Sequence, residues 1–216
     1  MLYTFFRILG IITGYPFQLL FFKRRTFYEK KKNKDTFKGG KLIISNHINP
    51  LDYVMTCFIV APRKLNAITA EFAFKTAIAR FGMKFFGMIK ADRINKSMRF
   101  IDEGADVIKK GQLLIIYPEG HNTPDGKMHE FYHSYLVIAY RAGCPIVPMI
   151  TDGRYSFFKR TSVIIGEEID VSRFFTPGKR TPSREELKAA NEYVYSKMQE
   201  LVLLLETKKA ERRRQK

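Results

Sequence analysis

Lys41-Leu-Ile-Ile-Ser-Asn-His-Ile-Asn-Pro-Leu-Asp52 joins a strand, a turn and a helix start within twelve residues. Its apolar run, Leu42 to Ser45, is entered from Gly39-Gly40 and left at a turn, the pattern of a short buried strand. Asn49 and Pro50 predict a helix start, with Asn as cap acceptor and Pro at the first helical position. Asp52 then falls in the first turn, where its charge suits the positive end of the helix dipole. His47 stands in the loop just before, so that turn can fold the Asp52 carboxylate back toward its ring. A carboxylate on one ring nitrogen fixes the tautomer and makes the other nitrogen a better proton acceptor, as a general base requires. A His five residues ahead of an acid also arises by chance, and a His at a strand end is often structural, so the pair needs corroboration.

A second loop of the same construction supplies it. Gln112 to Tyr117 is another apolar strand, and it runs into Pro118-Glu119-Gly120-His121-Asn122. With both loops in place the chain resembles the glycerolipid acyltransferases, the lysophosphatidic-acid acyltransferase family. The family's Asn-His-x4-Asp motif is matched by Asn46, His47 and Asp52, and its Phe-Pro-Glu-Gly motif by Tyr117-Pro118-Glu119-Gly120. A weaker apolar, Gly-containing stretch ending in Arg resembles Phe81-Gly82 through Gly87 to Asp92-Arg93, and a fourth resembles Ile146-Val147-Pro148-Met149. The four occur in family order over residues 41 to 170.

The resemblance implies a glycerolphosphate-acyltransferase-like α/β fold, a mixed β-sheet flanked by helices. It also implies transfer of a fatty acyl group from a thioester carrier, acyl-ACP or acyl-CoA, to the hydroxyl of a lysophospholipid, with lysophosphatidic acid the first candidate, in phospholipid biosynthesis. His47 and Asp52 would be catalytic. Glu119 and the Gly120 backbone would position the acceptor, with Arg93 and Lys127 for its anionic headgroup. No metal and no cofactor beyond the carrier co-substrate is expected. One departure stands out: the family has Arg after Pro-Glu-Gly-x to hold the acceptor phosphate, and this chain has Asn122 there, preceded by His121. Arg93, Lys127 and Arg154 are the nearest cations that could take over.

Composition narrows the partners. The chain has 216 residues and a net charge of +17, from 38 basic and 21 acidic side chains. Lys23 to Lys41 carries nine basic and two acidic residues, and Thr207 to Lys216 six and one. Such a balance suits nucleic acid, but the first cluster directly follows an apolar stretch, which points to an anionic membrane surface and away from nucleic acid. Met1 to Phe22 is apolar and aromatic, with Arg7 its only charged side chain. Its uncharged run from Ile8 to Phe22 is broken by Gly10, Gly14, Pro16 and Gln18, short of the roughly 20 apolar residues of a spanning helix. The expectation is an N-terminal membrane-dipping helical segment, with Lys23-Arg24-Arg25 keeping the rest on the cytoplasmic face of the cell membrane. Cys57 and Cys144 lie in apolar settings far apart in sequence and read as reduced core residues.

Three regions are expected: an apolar anchor over 1–25, an acyltransferase domain over 26–206 and a basic tail over 207–216. Within the domain, helices are expected over Pro50–Val60, Glu71–Gly87, Ser97–Lys110 and Phe131–Arg141, and strands over Leu65–Thr69, Ile89–Asp92, Ile146–Ile150 and Val163–Ile169. Phe72, Phe74, Phe81, Phe85 and Phe86 read as core in preference to an acyl-chain wall. Ser183-x-x-Glu186 is a capping box opening a last helix with the apolar stripe Leu187, Ala190, Val194, Met198, Leu201 and Leu205. Alternation of this kind gives an α/β sheet covered by helices, with the site at strand ends.

Two other readings stay open. His129-Glu130-Phe131-Tyr132-His133 spells the His-Glu-x-x-His of zinc metallopeptidases, which on a helix would set two imidazoles on one face with the Glu as base. The Asp125-Gly126 turn just upstream argues against helix at His129, and no further His follows. The other alternative is a non-catalytic lipid-binding protein.

Overall fold

A computed structural model describes residues 2–31, 33–92, 95, 97–155, 158, 160–179 and 181–215. In chain order the elements are α1 (Leu2–Phe21), β1 (Arg25–Tyr28), β2 (Lys41–Ser45), α2 (Asp52–Val60), β3 (Leu65–Ala70), a 3-10 turn (Glu71–Phe74), α3 (Ala77–Phe85) and β4 (Met88–Ala91). Then come α4 (Arg99–Lys109), β5 (Leu113–Ile116), α5 (Ser134–Ala142), β6 (Ile146–Thr151), β7 (Ser162–Ile165), a 3-10 turn (Ser172–Phe174) and α6 (Arg184–Arg214).

The strands form one sheet in the order β1-β7-β6-β2-β5-β3-β4. Strands β6, β2, β5, β3 and β4 are parallel; β7 runs antiparallel to β6, and β1 parallel to β7. The sheet is therefore mixed, as expected. The middle of β2 and the whole of β5 are apolar because both faces are covered: Leu42, Ile43, Ile44, Leu113, Leu114 and Ile115 all have no exposed surface. Alternate residues supply the two layers. Leu42, Ile44, Leu114, Ile116, Ile146 and Ile164 pack against α4, α5 and α6, with Ile101, Ile108, Ile138 and Met198. Ile43, Leu113, Ile115, Val147 and Val163 face the other way, onto Phe22, Tyr53, Met55 and Val60.

Several expected elements end elsewhere. The helix expected over Glu71–Gly87 is a 3-10 turn and a separate α3, and Phe72, Phe81 and Phe86 are 68%, 63% and 51% exposed, so only Phe74 of this set is core. The helix expected from Phe131 starts at Ser134. Strand β7 stops at Ile165, and Ile169 makes an isolated bridge to Ile146. Strand β1, unforeseen in the basic run, pairs Arg25 with Ser162 through Tyr28 with Ile165.

Helix α6 opens on the expected capping box, with the Ser183 hydroxyl accepting from the Glu186 N–H and the Glu186 carboxylate accepting from the Ser183 N–H. Its stripe from Ala190 to Leu205 is buried, and the helix continues through residues 207–214, carrying Lys209 into a buried position. At the other terminus α1 contains Pro16 and lies on α2, where a side chain at Gly14 would meet the Phe58 ring at 3.0 Å. Among the described residues no helix is long and apolar enough to cross a membrane.

Candidate active site

Strands β2, β5 and β6 all deliver their C-terminal ends to one edge of the sheet, where parallel α/β sheets place their sites. At the end of β2, the side chain of Asn46 accepts from the Thr151 N–H at 2.9 Å and donates to the Thr151 carbonyl at 2.9 Å, tying this loop to the end of β6. His47 follows. The expected cap at Asn49 takes another form: its side chain accepts from the Leu51 N–H at 2.9 Å, a local turn, and α2 begins at Asp52 with no side-chain cap. Pro50 therefore lies in the turn ahead of the helix. The consequence for Asp52 is unchanged, since the first helical residue points back over the loop.

Asp52 is 1% exposed, and its carboxylate is satisfied from every side. Oδ2 lies 3.1 Å from His47 Nδ1 and accepts from the N–H groups of Ile48 and Asn49, each at 2.9 Å. Oδ1 accepts from the hydroxyl of Tyr155. A buried carboxylate costs heavily unless paired and hydrogen-bonded, and this one has four such neighbours. Because an ionised carboxylate only accepts, Nδ1 of His47 carries a proton, and in the neutral imidazole Nε2 is then the nitrogen with the lone pair. The His47 side chain keeps 20% of its surface exposed.

Two tyrosines complete the corner. The Tyr117 ring stacks on the His47 imidazole with centroids 4.0 Å apart and planes 14° from parallel. Its hydroxyl is buried without a hydrogen-bond partner among the described residues, and burial, then the Asp52 charge, hold its pKa well above normal. Tyr155 is likewise pushed up by burial and then by Asp52, so it stays a proton donor to the carboxylate. It approaches closely because Gly153 has φ of +61° and a Cβ there would lie 2.5 Å from Ile48 Cγ2. Tyr155 carries no local signal in the sequence: it follows β6 by four residues and reaches Asp52 only through the fold.

The β5 loop braces His47 from the other side. Glu119 is fully buried, its Oε2 accepting from the His129 N–H at 2.9 Å and its Oε1 from the His47 N–H at 3.4 Å. The carboxylate expected to position the acceptor is thus turned inward onto two backbone segments. Gly120 turns the chain at φ of +74°, its N–H bonded to the Tyr117 carbonyl at 3.0 Å. Thr123 bonds the His47 carbonyl through its N–H at 2.7 Å and its hydroxyl at 3.2 Å. Asn122 and Lys127, by contrast, are exposed on the outer rim of this loop, and Arg154 is exposed beyond β6. Arg93 lies outside the described residues.

The zinc-peptidase pattern is not realised as a helix. Residues 126–132 are extended or irregular, and His133 only caps α5. With α5 starting only at Ser134, His129 and His133 do not share a helical face; the His129 ring instead lies 3.5 Å from Asp125 and 5.7 Å, centroid to centroid, from His121.

Comparison with known proteins follows the same lines. A family model described as Acyltransferase matches residues 24–152, more than half of the chain. Among curated proteins, a 1-acyl-sn-glycerol-3-phosphate acyltransferase of Cocos nucifera is 32% identical over 88 residues, 41% of this chain and 28% of that protein. The chloroplastic 1-acyl-sn-glycerol-3-phosphate acyltransferase BAT2 of Brassica napus is 24% identical over 169 residues, 68% of this chain and 48% of its own. The chain thus spans less than half the length of these relatives. The crystal structure of the 1-acyl-sn-glycerophosphate (LPA) acyltransferase PlsC from Thermotoga maritima has the same fold, with a TM-score of 0.60 at 22% identity, covering 90% of this chain and 79% of that one. Motifs, fold and family model agree, and the chain belongs to this acyltransferase family.

Proposed function

We propose that this chain transfers a fatty acyl group from a thioester donor to the hydroxyl of a lysophospholipid, working at a membrane surface. The observation that carries the reading is the His47–Asp52 pair, Nδ1 to Oδ2 at 3.1 Å, with the carboxylate locked by two backbone N–H groups and Tyr155. His47 Nε2 takes the acceptor hydroxyl's proton as the hydroxyl oxygen attacks the thioester carbonyl. The buried carboxylate stabilises the imidazolium that forms. The tetrahedral intermediate expels the donor's thiolate, which recovers the proton, leaving an acylated lipid and a free thiol. A thioester is activated already, so the reading assigns no cofactor; the donor is acyl-ACP or acyl-CoA.

The relatives named for 1-acyl-sn-glycerol-3-phosphate make lysophosphatidic acid the first acceptor to try. Asn122 replaces the guanidinium that would hold its phosphate, so another cation does that work, with Arg93, Lys127 and Arg154 the candidates. Glu119 and Gly120 shape the acceptor side by fixing the loop on which Asn122 and Lys127 stand. Membrane docking draws support from exposed apolar side chains: Phe5, Ile12 and Leu19 of α1 are 61%, 64% and 53% exposed, and Ile78 and Phe81 of α3 are 87% and 63%. The Phe6 and Phe85 rings, 6.4 Å apart, join these helices, and Leu51 and Val54 at the start of α2 are exposed as well. Exposed apolar area on this scale marks an interaction surface. The interfacial mode suits it, on the cytoplasmic face of the cell membrane.

The test is purified protein with labelled acyl-CoA or acyl-ACP and a panel of lysolipids, alongside vesicle co-sedimentation. Transfer to a lysophospholipid, and vesicle binding weakened by Ile12→Glu with Phe81→Glu, is the expected result. Failure with every lysolipid and both donors would overturn the catalytic reading, and undiminished vesicle binding by the double variant would overturn the membrane one.

A further inference from the structure

A cavity of about 200 Å³ opens beside the site, lined by Arg25, Asp152, Arg154, Arg160, Ser162, Lys209 and Arg213. It is assembled from four distant parts of the chain: the start of β1, the segment after β6, the start of β7 and the last turns of α6. Because β7 opposes β6 and β1 follows β7, the starts of β1 and β7 lie at the same sheet edge as the ends of β2 and β6. Residues 151–155 link the cavity to the catalytic corner. Thr151 clamps Asn46 and Tyr155 holds Asp52, while Asp152 and Arg154 between them line the cavity.

Five cations face one carboxylate here. Asp152 is already engaged: Oδ1 accepts from the Ser162 N–H at 3.0 Å, and Oδ2 lies 3.3 Å from Lys209 Nζ, both side chains being 7% exposed. Glu206 adds a second partner for Lys209 at 2.7 Å. Among the described residues no ion pair engages Arg25, Arg154, Arg160 or Arg213, and Arg25 Nε is buried with no hydrogen-bond partner. Burial, then the guanidiniums of Arg160, Arg212 and Arg213, pull the pKa of Arg25 below its ordinary value. Like charges gathered around a recess destabilise the fold unless an anion occupies it. Guanidinium forks match phosphate oxygens bidentately, and one carboxylate would leave most of this charge unanswered. A recess of this size takes one such group, not a polynucleotide backbone.

We propose that this cavity is a phosphate-binding site, holding the phosphate of a small ligand next to the catalytic corner. Two sources share that chemistry, a phospholipid headgroup at the membrane plane and the phosphates of the acyl donor's carrier. The inference does not rest on acyl transfer, since binding is read directly.

The experiment uses the full chain, with calorimetry and thermal unfolding at fixed ionic strength. The probes are inorganic phosphate, coenzyme A and a short-chain phosphatidic acid below its micelle concentration, each against chloride. Phosphate should raise Tm, because a ligand bound only by the native state stabilises it. Arg160→Ala combined with Arg213→Ala should weaken binding by on the order of ten-fold or more per arginine, since each removes charge-assisted hydrogen bonds. In phosphate-free buffer the same double variant should unfold no earlier than wild type, having lost only mutually repelling charges. Tighter binding of the lipid or of coenzyme A, abolished in the variant, identifies the source. If all three probes behave like chloride, or the double variant binds them as wild type does, the site is not there.

Discussion

The loop after β5 has an inner and an outer side, and they are built to different standards. Glu119 and Thr123 face inward, 0% and 3% exposed, and both hold the His47 backbone. Asn122 and Lys127, on the same loop, face solvent. A buried charge or hydroxyl that loses its partner costs about 1–3 kcal/mol, whereas exchanges at exposed positions stay within about ±0.5 kcal/mol. The His47–Asp52 corner is therefore locked by stability, and the rim is free to change its chemistry without endangering the fold. That is why Asn122 can stand where relatives of this family carry Arg while His47, Asp52 and Glu119 form a fully bonded corner.

The largest effect should come from breaking the inner side at its centre. Asp52→Asn removes the charge that orients His47 and faces four hydrogen-bonding neighbours with an amide that can satisfy fewer of them. Turnover should fall ~10²–10⁴-fold, the range of a general acid–base contribution, measured as initial acyl-transfer rate beside a circular-dichroism melt. A variant within a few-fold of wild type would dissolve the distinction between the two sides.

Tyr155→Phe sharpens it. The hydroxyl donates to a buried carboxylate, and hydrogen bonds to charged groups contribute about 1.5–3 kcal/mol. Denaturant unfolding should register a loss of that order, with turnover reduced and the acceptor KM little changed. An acceptor KM effect alone would instead move Tyr155 to the recognition side.

On the rim, Asn122→Arg should leave stability within about ±0.5 kcal/mol and lower the KM for lysophosphatidic acid, by supplying a bidentate phosphate donor. Steady-state kinetics against lysophosphatidic acid and a zwitterionic lysolipid would separate the outcomes; equal changes for both would show that position 122 does not read phosphate.

The smallest change is expected at the second tyrosine. Tyr117→Phe keeps the ring stacked on His47 and deletes a buried hydroxyl that has no hydrogen-bond partner among the described residues. Removing an unsatisfied group should be neutral or slightly stabilising, and activity should hold. A marked loss would mean that hydroxyl touches substrate.

What could be read from the chain divides along the same physical line. Strands β2 and β5 were legible because burial on both faces leaves an unbroken apolar run, and the His47–Asp52 pair was legible because only a short loop separates the two residues. The mixed, helix-covered sheet followed from the alternation of such runs and from the family resemblance. Strand β1 was hidden because its four residues lie in a run of lysines and arginines and pair only with β7, far along the chain. The fused helix expected over Glu71–Gly87 failed because three of its five phenylalanines, Phe72, Phe81 and Phe86, are displayed outward, where helical periodicity carries no packing information. Tyr155 and the inward turn of Glu119 were illegible for one reason: each acts through partners brought close by the sheet and not by the sequence. Arg25, part of the basic run expected to face an anionic membrane surface, joins Arg154, Arg160 and Arg213 around a cavity, a grouping that only the fold creates.

The account stands on His47 as the group that takes the acceptor's proton. The most direct measurement is acceptor-dependent release of free thiol from an acyl-thioester donor, wild type against His47→Ala, with both proteins shown to be folded by their melts. Wild type should release thiol steadily and only with the lysophospholipid present, and the variant's rate should be ~10²–10⁴-fold lower. Near-normal, acceptor-dependent release by His47→Ala would contradict it.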